Sequence, residues 1–260
     1  MLKNSLFWEI SSPEVGYNSY IFGTIHLFRN SQMELLNKIE VLISEVEKVY
    51  TETALDSNPD SIFYKIPKSE DLESLLGAKK YERARSILLK SLDFDIDNHR
   101  TSIPITIVQH IALQAMGVVH HPPLDALIYQ VSMRLNKDYG GIETVEEQMN
   151  ILQRIPLDYQ CKALLKLSRN IRGFRKRVSH MIDMYEEERI IPLYQSSKKE
   201  MGKLRRLLLY ERNVILAQRI KEFHYAQKSL FTFGAGHLAG DMGVLALLKR
   251  SGLKVKAIRP

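Results

Sequence analysis

A single cysteine in 260 residues, Cys161, excludes an intrachain disulfide and a thiolate cluster. Any metal held here must therefore sit on histidine and carboxylate ligands. The same scarcity is compatible with a reducing cytosol. Long apolar runs are missing too. The longest stretch free of Asp, Glu, Lys and Arg, residues 101–124, is interrupted by Gln109, His110, Gln114 and three prolines, and reads as a buried helix rather than a transmembrane segment. The opening MLKNSLFWEI carries one lysine and an apolar run cut by Glu9, too short for a signal-peptide core. The expectation is a cytoplasmic protein, unless a leader has been removed. Acidic charge is also in deficit, 30 Asp and Glu against 37 Lys and Arg for a net +7, which describes a surface field tolerant of anions and not a fold. Basic runs at 172–177 and 198–206 come without an aromatic stacking platform or a named binding motif, so solvated helix faces explain them better than nucleic acid does.

What is present is organised around LFTFGAGHL, residues 230–238. Leu230, Phe231 and Phe233 read as a buried strand, and Gly234 and Gly236 turn the backbone to present His237 at its end. The phrase Phe-Gly-x-x-His-Leu recurs at Phe22 to Leu27 and presents His26. The two copies are read as halves of one site.

The segments Leu6 to Ile10 and Tyr17 to Phe22 read as an antiparallel strand pair. The capping box Ser31 to Glu34 and apolar residues at helical spacing, Leu35, Ile39, Leu42, Ile43 and Val46, predict a helix over about 32–48. A short strand at Val49 to Thr51 then ends at Glu52. Strand, helix and strand in that order make a βαβ unit, so His26 and Glu52 are expected at one sheet edge, with strand adjacency bringing Glu52 beside His26. A further strand, Tyr139 to Ile142, ends at Glu143, and Thr144 to Glu147 caps the next helix. Such handovers are where ligands collect in open α/β sheets. After His237, a helix over Asp241 to Arg250 and a strand over Leu253 to Ile258 complete the pattern. The expected fold is a single α/β domain over residues 1–260, with a mixed, mostly parallel central sheet. A large helical insertion, about 57–136 and 157–223, is expected to pack as a cap over the sheet edge, with Pro156, Gly173 and Pro192 as its punctuation.

Two imidazoles and two carboxylates, His26, His237, Glu52 and Glu143, thus converge on strand ends. That set suits a borderline divalent ion, Zn, Mn, Co or Fe, with room for a water that the metal acidifies and a spare carboxylate deprotonates. The bland reading of each histidine is a backbone hydrogen bond in a glycine turn. His99 and His224 read as loop or helix-end residues, His110 as a core histidine, and His120 and His121 as neighbours that seldom aim at one ion.

YIFGTIHL, GIETVEEQ, YERN and FGAGHLAGDMGVLALL resemble the TraB/GumN family, which also includes the TIKI Wnt-cleaving proteases and the pheromone-shutdown proteins. The resemblance runs from about Phe7 to Ile258 and is specific at the two Gly-x-x-His motifs, GIET and YERN. It implies a metal-dependent hydrolase with His26, His237 and Glu52 as metal ligands. The GIET match carries onto Glu143. The YERN match carries onto Tyr210, Glu211, Arg212 and Asn213; Arg212 would neutralise a substrate carboxylate or developing oxyanion, with Tyr210 and Asn213 at the substrate. With three ligands already supplied, Glu143 is assigned as the water-activating or supporting carboxylate. The expected function is peptidase-like hydrolysis of a peptide or other small substrate; the alternative is a non-catalytic protein of the same fold that binds a peptide or a metal cofactor.

Overall fold

The computed structural model describes residues 3–25, 33–54, 70–114 and 124–260. His26, the Ser31 cap, Ala115 and the His120-His121 pair lie outside the described residues. The chain divides into two compact units.

The first unit, Met1–Leu55, His121–Glu147 and Met181–Pro260, contains one six-stranded sheet. Its strands are β1 (Phe7–Ser11), β2 (Asn18–Thr24), β3 (Lys48–Thr53), β4 (Asp138–Glu143), β5 (Ser229–Gly234) and β6 (Lys254–Ala257). They lie in the order β4-β3-β5-β2-β1-β6, with β4, β3, β5 and β2 mutually parallel and β1 antiparallel to both its neighbours. The protein is therefore α/β with a mixed, mostly parallel sheet, and the expected β1–β2 antiparallel pair is present.

One expectation is corrected. β2 and β3 flank α1 (Met33–Ser44) and run parallel, but they are not neighbours, because β5 lies between them. Glu52 therefore lies in a strand paired to β4 and β5 and is not brought beside His26 by strand adjacency. The cause is burial. Ser229 to Phe233 are buried throughout, with Leu230, Phe231 and Phe233 supplying the apolar bulk, and a strand buried on both faces belongs at the middle of a sheet.

Helices α1, α5 (Leu124–Arg134), α9 (Ile190–Met201), α10 (Arg212–Ala226) and α11 (Val244–Arg250) contribute residues to the core of this unit, with Ile39, Ile43, Ile128, Leu216, Ile220 and Leu248 among them. α5, α9 and α10 thus pack with the sheet, although the sequence pattern groups them with the helical insertion.

The second unit, Asp56–His120 and Gln148–His180, has a core of its own. It includes α2 (Leu72–Leu76), α3 (Ala78–Leu92), α4 (Pro104–Gln114) and α7 (Leu157–Arg169). The apolar face of α4 finds its partners here: Ile107 and Ile111 are buried with Leu88, Leu164 and Leu167. The division between units falls inside α6 (Val145–Gln153) and α8 (Ile171–Glu186).

Two expected interruptions do not interrupt. Gly173 lies in the first turn of α8, where Asn170 Oδ1 accepts its N–H at 2.8 Å. Pro192 lies in the first turn of α9, where a missing N–H costs little. Among the described residues no helix is long and apolar enough to cross a membrane.

Candidate active site

The parallel strands deliver their ends to one edge of the sheet. Thr53 lies opposite Glu143 in the β3–β4 register, and Thr24 opposite Gly234 in β2–β5. Thr53, Glu143 and Gly234 therefore end three adjacent strands, with Glu52 one residue before the end of β3, and in sequence β2 leads to His26. Tyr185, itself buried, donates its hydroxyl to the Gly23 carbonyl at 2.9 Å and anchors the end of β2.

Glu52 and Glu143 meet on one cation. Arg212 donates from Nη2 to Glu52 Oε1 at 2.5 Å, from Nε to Glu143 Oε1 at 3.2 Å, and again from Nη2 to Glu143 Oε2. The Glu143 side chain is 1% exposed, against 14% for Glu52 and for Arg212. Burial works against the guanidinium charge, but the two carboxylates outweigh it and raise the Arg212 pKa above its already high ordinary value. Glu52 has a second partner, the Gly234 N–H at 3.2 Å from Oε2, which ties the ends of β3 and β5 together.

Arg212 opens α10 directly after a π-helical stretch, Arg206–Glu211. Such wider turns recur at functional sites, and no periodicity in the sequence announces this one. Arg219, seven residues on along α10, donates to the Ile142 carbonyl at 2.9 Å and to both oxygens of Glu147 at 2.6 and 2.7 Å. Two arginines two turns apart thus hold the junction of β4 and α6 from one helix face. The same Glu147 closes the expected capping box: the Thr144 N–H donates to Glu147 Oε2 at 2.9 Å and the Glu147 N–H to Thr144 Oγ1 at 3.2 Å.

His237 ends a single 3₁₀ turn, Ala235–His237, immediately after β5. It is 8% exposed, and its Nδ1 lies 2.5 Å from Asn213 Oδ1. Asn213 is fully buried, and its Nδ2 donates to the Met242 carbonyl at 2.6 Å. A carbonyl only accepts, so the amide nitrogen must face Met242 and the amide oxygen must face His237. In the neutral ring Nδ1 then carries the proton and Nε2 is the acceptor nitrogen. A Cβ built on Gly234 would stand 3.5 Å from His237 Cδ2 and 3.7 Å from Glu52 Oε2, so the imidazole and the carboxylate border the same glycine.

Asn213, expected at the substrate, is thus placed behind His237 with both ends of its amide engaged. Tyr210 hydrogen-bonds Tyr194, whose phenol is pushed up to about 12, first by burial and then by that bond. Gly240, at φ +88°, lets the backbone pass so close to the Tyr194 ring that a Cβ would lie 2.3 Å from its Cζ.

Among the described residues no three His, Cys, Asp or Glu side chains are grouped to hold a metal. The donor chemistry of His237 and Glu52 fits a divalent ion, an imidazole with a committed Nδ1 proton beside a carboxylate, and the third assigned ligand, His26, is outside the described residues.

The family model described as TraB/PrgY/gumN matches residues 6–257. The chain belongs to this family. It is similar to the metalloprotease TIKI1 of Xenopus tropicalis, with 24% identity over 97% of this chain and 61% of the relative. Likeness extends to the human metalloprotease TIKI1, 24% identical over 97% of this chain and 62% of the relative. The Danio rerio metalloprotease TIKI2 is 21% identical over 99% of this chain and 61% of its own length. The chain spans about three-fifths of these curated relatives. No solved structure matches it.

Three other described histidines of this TraB/PrgY/gumN chain have surroundings of their own. His224 is fully buried in the last turn of α10, with Nδ1 2.9 Å from Ser19 Oγ, and burial lowers its pKa. His99 and His110 flank Phe94 in the second unit, and desolvation lowers both.

Proposed function

We propose that this chain is a metal-dependent hydrolase, peptidase-like in its chemistry, working at the edge formed by the ends of β4, β3, β5 and β2. The observation that carries the reading is His237: its Nδ1 proton is committed to Asn213, and its ring borders the same glycine as the Glu52 carboxylate. His26, His237 and Glu52 are the proposed ligands of a divalent ion. When bound, that ion would supply an acidified water. Asn213 holds the His237 ring in one tautomer and orientation, and is proposed as a positioning residue rather than a substrate contact.

Both oxygens of Glu143 take hydrogen bonds from Arg212, and its side chain is almost wholly buried. This favours Glu143 as the group that aims Arg212 over a role as proton acceptor. Arg212, held between the two carboxylates, would stabilise negative charge developing on a substrate carbonyl. The name metalloprotease borne by relatives at low identity supports a peptide bond as the substrate class.

A second reading has an observation of its own. Arg212 already satisfies Glu143 and shares Glu52, an arrangement that also suits a non-catalytic protein of this fold holding a peptide or a metal. Metal content of the purified protein, followed by a peptide-library digest with and without chelator, separates the two. Chelator-sensitive cleavage supports hydrolysis. Stoichiometric metal with no cleavage supports binding, and neither metal nor cleavage overturns both.

A further inference from the structure

The second unit has a concavity between α3 and α7 of about 280 Å³. Four cations line it, Lys79, Lys80 and Arg83 from α3 and Arg169 from α7, and no Asp or Glu does. Residues 79, 80 and 83 fall on one side of α3 by helical spacing, and Arg169 comes from the last turn of α7.

Within this unit two other arginines have carboxylate partners. Arg85 binds Asp95 at 2.8 Å, and Arg100 binds Asp71 at 2.8 Å and Glu73 at 2.5 Å. Among the described residues the four cations of the concavity form no ion pair. Lys79 and Lys80 also stand in the first turn of a 15-residue helix with no acid there, where the helix field disfavours cations. No carboxylate among the described residues pairs with these charges, and an anion entering the groove would relieve their mutual repulsion. The surroundings strengthen the field: from Leu157 to Arg177 the chain has seven Lys and Arg and one acid, Asp158.

We propose that this groove binds a small organic phosphate. Two guanidinium forks and two ammonium groups on one ligand call for more than a single negative charge, which a phosphate monoester supplies and a lone carboxylate does not. The floor gives the other half of the ligand. Ala84, Ile87 and Leu165 present apolar surface beneath the cations, which an organic substituent covers and a bare phosphate leaves wet. The volume lies just below the range of about 300–1,000 Å³ common for small-molecule pockets, and suits one compact ligand better than a polymer.

Calorimetry on the full chain at low ionic strength tests this with phenyl phosphate, inorganic phosphate, benzoate and a short oligoglutamate. Phenyl phosphate should bind, with inorganic phosphate and benzoate each weaker by about tenfold or more. The Arg83→Gln/Arg169→Gln double variant should lose about tenfold or more in affinity for phenyl phosphate, and Glu52→Gln, at the other site, should lose none. Should that variant misfold by circular dichroism, Lys79→Gln/Lys80→Gln gives the same readout. Equal affinity in wild type and cation variants would overturn the proposal. So would equal binding of inorganic and phenyl phosphate, which would mark an adventitious ion only, or binding of oligoglutamate without phenyl phosphate, which would give the groove to an acidic protein partner.

Discussion

His237 reaches Asn213 across 2.5 Å, and the same asparagine is braced on the Met242 carbonyl at 2.6 Å. Imidazole orientation at this edge of the sheet is therefore set from α10 and not from the glycine turn that carries the histidine. Asn213→Ala should remove both of these hydrogen bonds, costing about 1–3 kcal/mol of stability. Divalent-ion affinity measured by calorimetry should fall by about 10- to 100-fold. Unchanged affinity would remove Asn213 from the site and weaken the case for His237 as a ligand.

The two carboxylates on Arg212 are expected to fail differently. Glu143→Gln preserves shape and removes the charge that aims the guanidinium, so bound metal should persist while hydrolysis drops by about 100-fold. Glu52→Gln should lose both. Elemental analysis beside a peptide-cleavage assay reads the two quantities separately. Loss of metal from Glu143→Gln would exchange the roles assigned to the carboxylates.

Gly234→Ala places a methyl at ordinary contact distance from His237 Cδ2 and Glu52 Oε2, 3.5 and 3.7 Å. The backbone there has φ −51° and ψ 126°, which alanine adopts freely. Thermal stability should hold or rise by up to about 1 kcal/mol, since alanine narrows the unfolded ensemble. Metal affinity should nevertheless weaken, because the added methyl touches both proposed donors. A fully stable variant with wild-type metal affinity would place the ion elsewhere.

His224 provides a pH test. Burial depresses its folded pKa below the ordinary 6.5, so the unfolded chain takes up more protons as pH falls through that value. The sign follows: stability contributed by neutral His224 is present above pH 6.5 and declines below it. In His224→Leu the linkage is gone, so the stability advantage of wild type over the variant should shrink from about pH 7.5 to about pH 5.5. Denaturant melts at several pH values measure this; a constant or growing difference would contradict it.

Much of the framework is legible in the sequence because its signals are local. The β1–β2 pair, the apolar face of α1, the α3 boundaries at Ala78 and Leu92 and the Thr144–Glu147 capping box all follow from residues within a few positions of one another. The neighbour of β3 does not, since no residue between Asn18 and Thr53 records that Leu230 to Gly234 will enter the sheet between them. Arg212 is legible as a motif residue, but its grip on Glu143 and Glu52 joins positions 69 and 160 apart, beyond the reach of any spacing rule. Two arginines seven apart on a helix, with two glutamates four apart across a strand-to-helix junction, form the nearest signal the sequence holds. The π-helical stretch before Arg212 departs from the 3.6-residue period used to find helices, so that period passes over it.

The place of β5 also sets an order of events during synthesis. β2 and β3 emerge early but have no hydrogen bonds to each other, and the strand that joins them begins at Ser229. Until β5 leaves the ribosome, β2 and the β3–β4 pair each expose an open parallel edge and an uncovered apolar face. Tyr20 then finds Leu230 across more than two hundred residues, a loop closure that slows folding far more than it costs stability. A chain stopped just before Ser229 would hold every other strand of the edge yet could not assemble it, which makes β5 the latch of the whole sheet.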